Sequence, residues 1–353
     1  MTIQVFVVDD SAVVRQALAH ILSGQADIAL VGSAPNPLLA QAAIQKQRPD
    51  VLLLDIEMPG MDGLTFLRQI MANNPIPTVI CSSLSTEGSA VALEALSSGA
   101  VAVLAKPALG VRAHLEESRH EMISVLKAAA RSHPRLRHAT PAAVLPMQRS
   151  MRAARTAGVH ALSMNKPVVI GSSTGGTQAL EAMLLQLPSD APSIAVTQHM
   201  PERFTAMLAQ RLNGLCAMQV REARDGDRME RGLVLIAPGG RHLQLRKNAG
   251  QYYAHVMDGP PVNRHKPSVD VLFRSMAECA GRDVLAILMT GMGDDGARGM
   301  KAIHDAGGRT IAQNEETCVV FGMPKEAIKL QAVDDVLPLG DIASAVLAFD
   351  ARA

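Results

Sequence analysis

The chain has 353 residues, more than one hydrophobic core usually serves, so two domains of about 120–200 residues each are expected. Its 34 Lys and Arg nearly cancel its 33 Asp and Glu, and aromatic residues make up only 2% with no Trp, which argues against nucleic-acid binding and against a global attraction to anionic membranes. Cys81, Cys216, Cys279 and Cys318 are scattered without metal-ligand spacing and read as reduced thiols, Met1-Thr2-Ile3-Gln4 runs straight into a strand, and no stretch of about 18 apolar residues occurs. A cytoplasmic protein with no direct membrane insertion is expected.

Along the first 125 residues, apolar runs at Val5-Phe6-Val7-Val8, Val51-Leu52-Leu53-Leu54, Thr78-Val79-Ile80-Cys81 and Val101-Ala102-Val103-Leu104 alternate with amphipathic stretches such as the one from Val13 to Leu22. Buried strands alternating with helices imply a parallel sheet covered on both faces. Polar groups follow the strand ends: Asp9-Asp10, Asp55, Ser82-Ser83 and Lys106. In an open parallel sheet the ligand crevice lies outside the carboxyl ends of the strands, so these groups should converge. Three carboxylates at one edge repel unless a hard cation sits among them, and Mg²⁺ takes oxygen ligands. One carboxylate can then attack a phosphoryl group while the lysine ammonium and a serine hydroxyl hold its oxygens.

With Val7-Val8-Asp9-Asp10-Ser11, Leu54-Asp55-Ile56-Glu57-Met58-Pro59-Gly60-Met61-Asp62-Gly63 and Lys106-Pro107 in view, this region resembles the receiver domain of two-component response regulators. The resemblance implies a five-stranded doubly wound domain with Asp55 as phosphoacceptor. It also implies Mg²⁺ held by Asp9, Asp10, Asp55 and the Glu57 backbone carbonyl, a switch hydroxyl at Ser82 (Ser83 being the neighbouring alternative), and Lys106 on the phosphoryl group.

From Met122 through Leu180 there is no acidic residue, while Arg131, Arg135, Arg137, Arg149, Arg152 and Arg155 recur among Ala, Pro, His and Ser. A helical pattern from His114 to Ala130 gives way to Pro134, Pro141 and Pro146, which break helices. The division expected is 1–125 for the first domain, 126–163 for a basic linker and 164–353 for the second domain.

The second domain opens on an apolar strand, Lys166-Pro167-Val168-Val169-Ile170, then Gly171-Ser172-Ser173-Thr174-Gly175-Gly176-Thr177, then a helix through Leu185. Gly171 to Gly175 fits G-x-S-x-G, a sharp strand-to-helix turn that lifts a serine hydroxyl out of the backbone at a helix amino terminus. A phosphate cradle is the alternative, but no Lys-Ser/Thr pair follows the glycines, and the next strand ends in Gln198-His199 rather than an acid.

Ile194-Ala195-Val196-Thr197 brings His199 to a second strand end, and Val284 to Met289 runs into Thr290-Gly291-Met292-Gly293-Asp294-Asp295-Gly296. Hydroxyl, imidazole and carboxylate at three strand ends make a nucleophile, a general base and a group that fixes the imidazole tautomer. The chain order Ser, His, Asp differs from that of α/β-hydrolases. His242 and His265, in probable loops, are rivals to His199, and spacing does not separate Asp294 from Asp295.

Five segments carry a second resemblance: Ile170 to Thr177, Thr197-Gln198-His199-Met200-Pro201, Ala237-Pro238-Gly239-Gly240-Arg241-His242, Asn263-Arg264-His265-Lys266-Pro267-Ser268-Val269-Asp270, and Met289 to Gly296. Together they resemble the chemotaxis-specific protein-glutamate methylesterases, the CheB family. The resemblance implies a triad of Ser173, His199 and Asp295, with Thr174 and the Met292 backbone near the oxyanion. It further implies hydrolysis of glutamyl methyl esters on chemoreceptors, deamidation of glutamines in many members, and a histidine kinase as phosphodonor, with no cofactor for the ester chemistry. The fold class expected is α/β with two doubly wound parallel sheets, the second larger and not of the α/β-hydrolase type. A nucleotide-binding output module and a non-catalytic receiver adaptor are the competing functions.

Overall fold

The computed structural model describes residues 2–58, 62–82, 86–106, 112–132 and 166–351. In the amino-terminal unit, β1 (Ile3–Val8), β2 (Ile28–Ala34), β3 (Val51–Leu54), β4 (Thr78–Ser82) and β5 (Ala102–Ala105) form one sheet in the order β2-β1-β3-β4-β5. Every pairing in it is parallel. The helices between and after them are α1 (Ala12–Ser23), α2 (Pro37–Lys46), α3 (Gly63–Asn73), α4 (Thr86–Ser97) and α5 (Arg112–Arg131). Ser11, Asn36 and Asp62 cap α1, α2 and α3 by accepting from free first-turn N–H groups, which fixes where each helix starts after its strand.

α5 runs to Arg131, past the boundary expected at 125. Its Leu126 and Ala129 are fully buried in the same cluster as Val5, Val7 and Leu53, so this last stretch is receiver core and not linker. The rest of the expected linker, 133–163, lies outside the described residues.

The carboxy-terminal unit has nine strands: β6 (Val168–Ser172), β7 (Ile194–Gln198), β8 (Gln219–Glu222), β9 (Leu233–Ile236), β10 (His242–Asn248), β11 (Gln251–Met257), β12 (Leu285–Leu288), β13 (Arg309–Gln313) and β14 (Asp335–Leu337). Seven of them make a sheet in the order β14-β13-β12-β6-β7-β9-β8, parallel throughout, while β10 and β11 form a separate hairpin. The helices are α6 (Gly176–Leu184), α7 (Phe204–Leu215), α8 (Val269–Cys279), α9 (Ala297–Asp305), α10 (Met323–Lys329) and α11 (Leu339–Asp350).

Successive residues of β6 point to opposite faces, and both faces are covered. Val168 and Ile170 pack with Leu180, Leu208 and Val346, whereas Val169 packs with Leu272, Phe273 and Met300. That is why the strand is an unbroken apolar run. The chain leaves β6 for β7 on one side and returns as β12 on the other, so the topological switch point, and hence the crevice, lies at the carboxyl end of β6.

The two units touch. Leu93 and Leu96 of α4 share a continuous buried cluster with Leu180 and Leu208 of the second unit. Gln178, in α6, donates to the carbonyls of Leu96 (2.6 Å) and Ala100 (3.0 Å).

Candidate active site and receiver acidic cluster

The turn after β6 is shaped by contact on every side. Gly175 has φ +77°, and a Cβ there would sit 2.5 Å from Cβ of Val319, so neither the backbone nor the space admits a side chain. Behind it, the Ser172 hydroxyl is fully buried and donates to Gln198 Oε1 at 2.6 Å, while Gln198 Nε2 donates to the carbonyls of Ser173 and His199 at 3.0 Å each. Ser172 is therefore committed to the scaffold. Ser173 is half-buried, and no hydrogen bond to its hydroxyl occurs among the described residues. Its N–H donates to Thr290 O at 3.0 Å, and Thr290 Oγ1 in turn donates to Thr174 O at 2.9 Å, tying the turn to the end of β12.

His199 follows β7, whose Gln198 pairs with Ser172 in register, and its own N–H donates to Ser172 O at 3.0 Å. Its Nε2 lies 2.8 Å from Asp295 Oδ2, with the imidazole 7% and the carboxylate 1% exposed. The other ring nitrogen, Nδ1, is buried with no hydrogen-bond partner among the described residues. Three adjacent strand ends, of β7, β6 and β12, thus carry His199, Ser173 and the loop of Asp295.

Asp295 accepts far more than the His199 contact. Oδ2 also takes the Val269 N–H (2.7 Å), and Oδ1 takes Asn263 Nδ2 (2.8 Å), Ser268 Oγ (2.8 Å) and the Asp270 N–H (3.2 Å). The carboxylate therefore sits on the amino terminus of α8, where unpaired N–H groups and the helix dipole favour an anion. Burial pushes its pKa up, but hydrogen bonding to His199, with Asn263 and Ser268, more than offsets this and holds it well below the usual carboxylate range. Asp294 is exposed and makes none of these contacts.

The rival histidines have other places. His242 is not in a solvated loop: it begins β10 and is 2% exposed. Its Nε2 lies 3.0 Å from Pro260 O, and its Nδ1 accepts from the Ser268 N–H at 3.3 Å. It braces the 258–268 segment. His265 stacks on His199 with ring centroids 3.7 Å apart.

Near the serine, no hydrogen bond among the described residues engages the N–H of Thr174 or of Met292. Gly291 lies so close to the turn that a Cβ on it would come 2.8 Å from Cβ of Ser173, which brings the Met292 backbone to the same place.

In the first unit, Asp9 and Asp55 are 1% exposed and Asp10 is exposed; one oxygen from each lies within 4.8 Å of the others. Lys106 Nζ donates to Asp55 Oδ2 at 2.8 Å and stands 3.3 Å from Asp9 Oδ2, an ion contact, and among the described residues this buried oxygen has no hydrogen-bond partner. Burial, with the charge of Asp55, raises Asp9 above its ordinary pKa against the opposing pull of Lys106. Burial alone would lower Lys106; Asp55 and Asp9 outweigh it and raise it. The Glu57 N–H donates to Asp55 Oδ1 at 3.0 Å, and Ser82 is buried at the end of β4. Ser83 lies outside the described residues. An all-oxygen set of three acids with one orphaned buried oxygen fits a hard divalent cation.

Known proteins place this architecture. The family model described as CheB methylesterase matches residues 168–346, and that of the response regulator receiver domain matches residues 5–115. The chain is 52% identical to a protein-glutamate methylesterase/protein-glutamine glutaminase of Chromobacterium violaceum over 97% of this chain and 98% of the relative. It is 53% identical to one of Dechloromonas aromatica over 98% of each. The chain belongs to the CheB methylesterase family. The crystal structure of the Thermotoga maritima CheB methylesterase catalytic domain is similar to its second unit, with 40% identity and a TM-score of 0.51 over 52% of this chain and 98% of that one.

In this family member, more residues contact Asp295 than the sequence pattern marks. Asn263, Ser268 and Asp270 all enclose Asp295, although only the segment containing them was marked. Asp270 is fully buried and accepts from Asn263 Nδ2 (2.8 Å) and the Gly299 N–H (2.7 Å). Burial, together with the charge of Asp295, raises its pKa against those bonds. The available signal was a serine at an N-cap position with an acid two residues on, which reads first as an ordinary helix start. The Ser268 hydroxyl instead leaves its own helix uncapped and turns to Asp295.

Proposed function

We propose that Ser173 is the acyl-accepting nucleophile of a protein-glutamate methylesterase, with His199 as general base through Nδ1 and Asp295 holding the ring through Nε2. The observation that carries this is the His199 ring itself: one nitrogen is bonded to a buried carboxylate and the other is buried without a partner, beside the strand end that presents Ser173. Ser173 Oγ attacks the γ-carbonyl of a methylated glutamate and gives its proton to Nδ1. Collapse of the tetrahedral species breaks the C–O bond, and methanol leaves with that proton. Water, deprotonated by the same nitrogen, then attacks the acyl-enzyme; the bond to Ser173 Oγ breaks, that oxygen takes back the proton from Nδ1, and the glutamate side chain leaves as its acid, which ionises. The Thr174 and Met292 N–H groups, having no other partner, would stabilise the oxyanion. The same steps with ammonia as leaving group deamidate glutamine.

The substrates are chemoreceptor side chains, and control comes from the receiver. Asp55 takes a phosphoryl group from a histidine kinase, and Asp9, Asp10, Asp55 and the Glu57 carbonyl would hold Mg²⁺. Bound there, the ion would offset negative charge as the phosphoryl group arrives. Lys106 and Ser82 hold the phosphoryl oxygens. In the resting state the receiver leans on α6, the helix that starts at the serine turn, and phosphorylation biases the pair apart.

The test is methanol release from methylated receptor membranes by the purified protein, with and without a small phosphodonor and Mg²⁺. Release that depends on Ser173 and rises with the phosphodonor is expected; Ser173-independent release would refute the assignment.

A further inference from the structure

We propose that His265 is a positioning residue for the ester reaction: its ring lies flat on the His199 imidazole and fixes the plane in which that ring meets both the acid and the serine. This rests on the esterase reading of Ser173, His199 and Asp295. The rings are 3.7 Å apart with an interplanar angle of 13°. Among the described residues, His199 has one side-chain hydrogen bond, from Nε2 to Asp295, and nothing bonds Nδ1. A ring held at one nitrogen can rock about that bond, swinging the opposite nitrogen away from its target, unless something flat covers its face.

His265 is itself well held. Its N–H and carbonyl pair with Val262, at 2.9 and 3.1 Å, and Lys266 Nζ on the next residue donates to Asp258 Oδ1 (2.6 Å) and Gly259 O (3.0 Å). The same segment sends Asn263 and Ser268 to Asp295. One loop therefore sets the acid and the base in register, the acid by hydrogen bonds and the base by a stacked ring.

Charge is consistent with this role. When His199 takes the serine proton it becomes a cation, which a neutral aromatic face favours and a second cation would oppose. Burial, the neighbouring His199 and Arg264 pull His265 down to about 3 against Asp295, so it stays neutral where the enzyme works. His199, Asp295 and Arg264 are the titratable and charged groups that act on it, with Asp258 and Lys266 further along the loop.

The experiment compares full-length His265→Leu, which keeps bulk but no flat ring, with His265→Phe, which keeps the ring. Initial rates of methanol release give kcat and KM, and ¹⁵N-histidine NMR follows the Nε2–H of His199. The Leu variant should lose about tenfold in kcat with KM changed less than about twofold, and its Nε2–H signal should broaden by solvent exchange. The Phe variant should return to within about threefold of wild-type kcat with the signal restored. A Leu variant with unchanged kcat, a rise confined to KM, or a Phe variant as poor as Leu would overturn the proposal. Thermal melts check folding, and His265→Gln replaces Leu should the latter not fold. If wild-type release proved independent of Ser173, the esterase reading would fall while the NMR comparison still decided the stack.

Discussion

Ser172 and Ser173 are neighbours with the same chemistry and opposite fates, decided by which hydroxyl is already bonded. Ser173→Ala should cost on the order of 10⁴ to 10⁶ in kcat with folding intact, whereas Ser172→Ala should act through the Gln198 brace and lower stability. Asp295→Asn should cripple the rate in the same assay, and Asp294→Asn should leave it near wild type, because only the former is bonded to His199. Acid sensitivity follows from His265, whose pKa falls from 6.5 unfolded to about 3 folded. Between those values the unfolded chain binds the extra proton, so His265 contributes stability above pH 6.5 that is lost as pH drops towards 3. The melting temperature of wild type should fall relative to that of His265→Phe as the pH is lowered through that window. Asp295 adds to acid loss in the same direction, since its lowered pKa stabilises the fold above the ordinary carboxylate range and ceases to do so as it protonates.

Among the elements, α8 and α9 lock each other's starts. Asp295, just before α9, accepts from the first N–H groups of α8, and Asp270, in the first turn of α8, accepts from Gly299 in α9. Neither cap is local in sequence, which is why an acid at each helix start reveals the helix but not its partner. α5 teaches the converse. Its periodicity was visible through Ala130, yet a boundary at 125 cut it, since apolar spacing does not say which core a helix joins. Leu126→Ala should lower the stability of the receiver unit by about 2–5 kcal/mol, read from its urea midpoint, while a surface linker residue would be nearly neutral.

For the whole molecule, α4 packs against α6 and α7, and under the proposed docking control activity should depend on how the two units sit. Gln178→Ala removes two bonds to the receiver and should raise unphosphorylated activity several-fold, since about 1.4 kcal/mol of differential stability is worth tenfold. A fragment beginning near residue 163 should outpace the resting chain; an equal rate would defeat docking as the restraint. Chelating divalent cations should abolish stimulation by a small phosphodonor and leave the basal rate unchanged, because the acidic cluster lies in the receiver unit.

Both parallel sheets, their alternation of strand and helix, and the strand ends that carry Asp9, Asp55, Lys106, Ser173 and His199 were legible in the residues, because buried two-faced strands must be apolar runs and polar groups at their ends stand out. The motifs also reached the family. What required the folded chain was the physical setting of these groups: the burial that separates Asp295 from Asp294, the bond that ties the Ser172 hydroxyl to Gln198, His242 as a brace of the 258–268 segment, and the enclosure of Asp295 by Asn263, Ser268 and Asp270. That setting is made by burial and by hydrogen bonds between segments far apart along the chain, and local spacing carries no record of either.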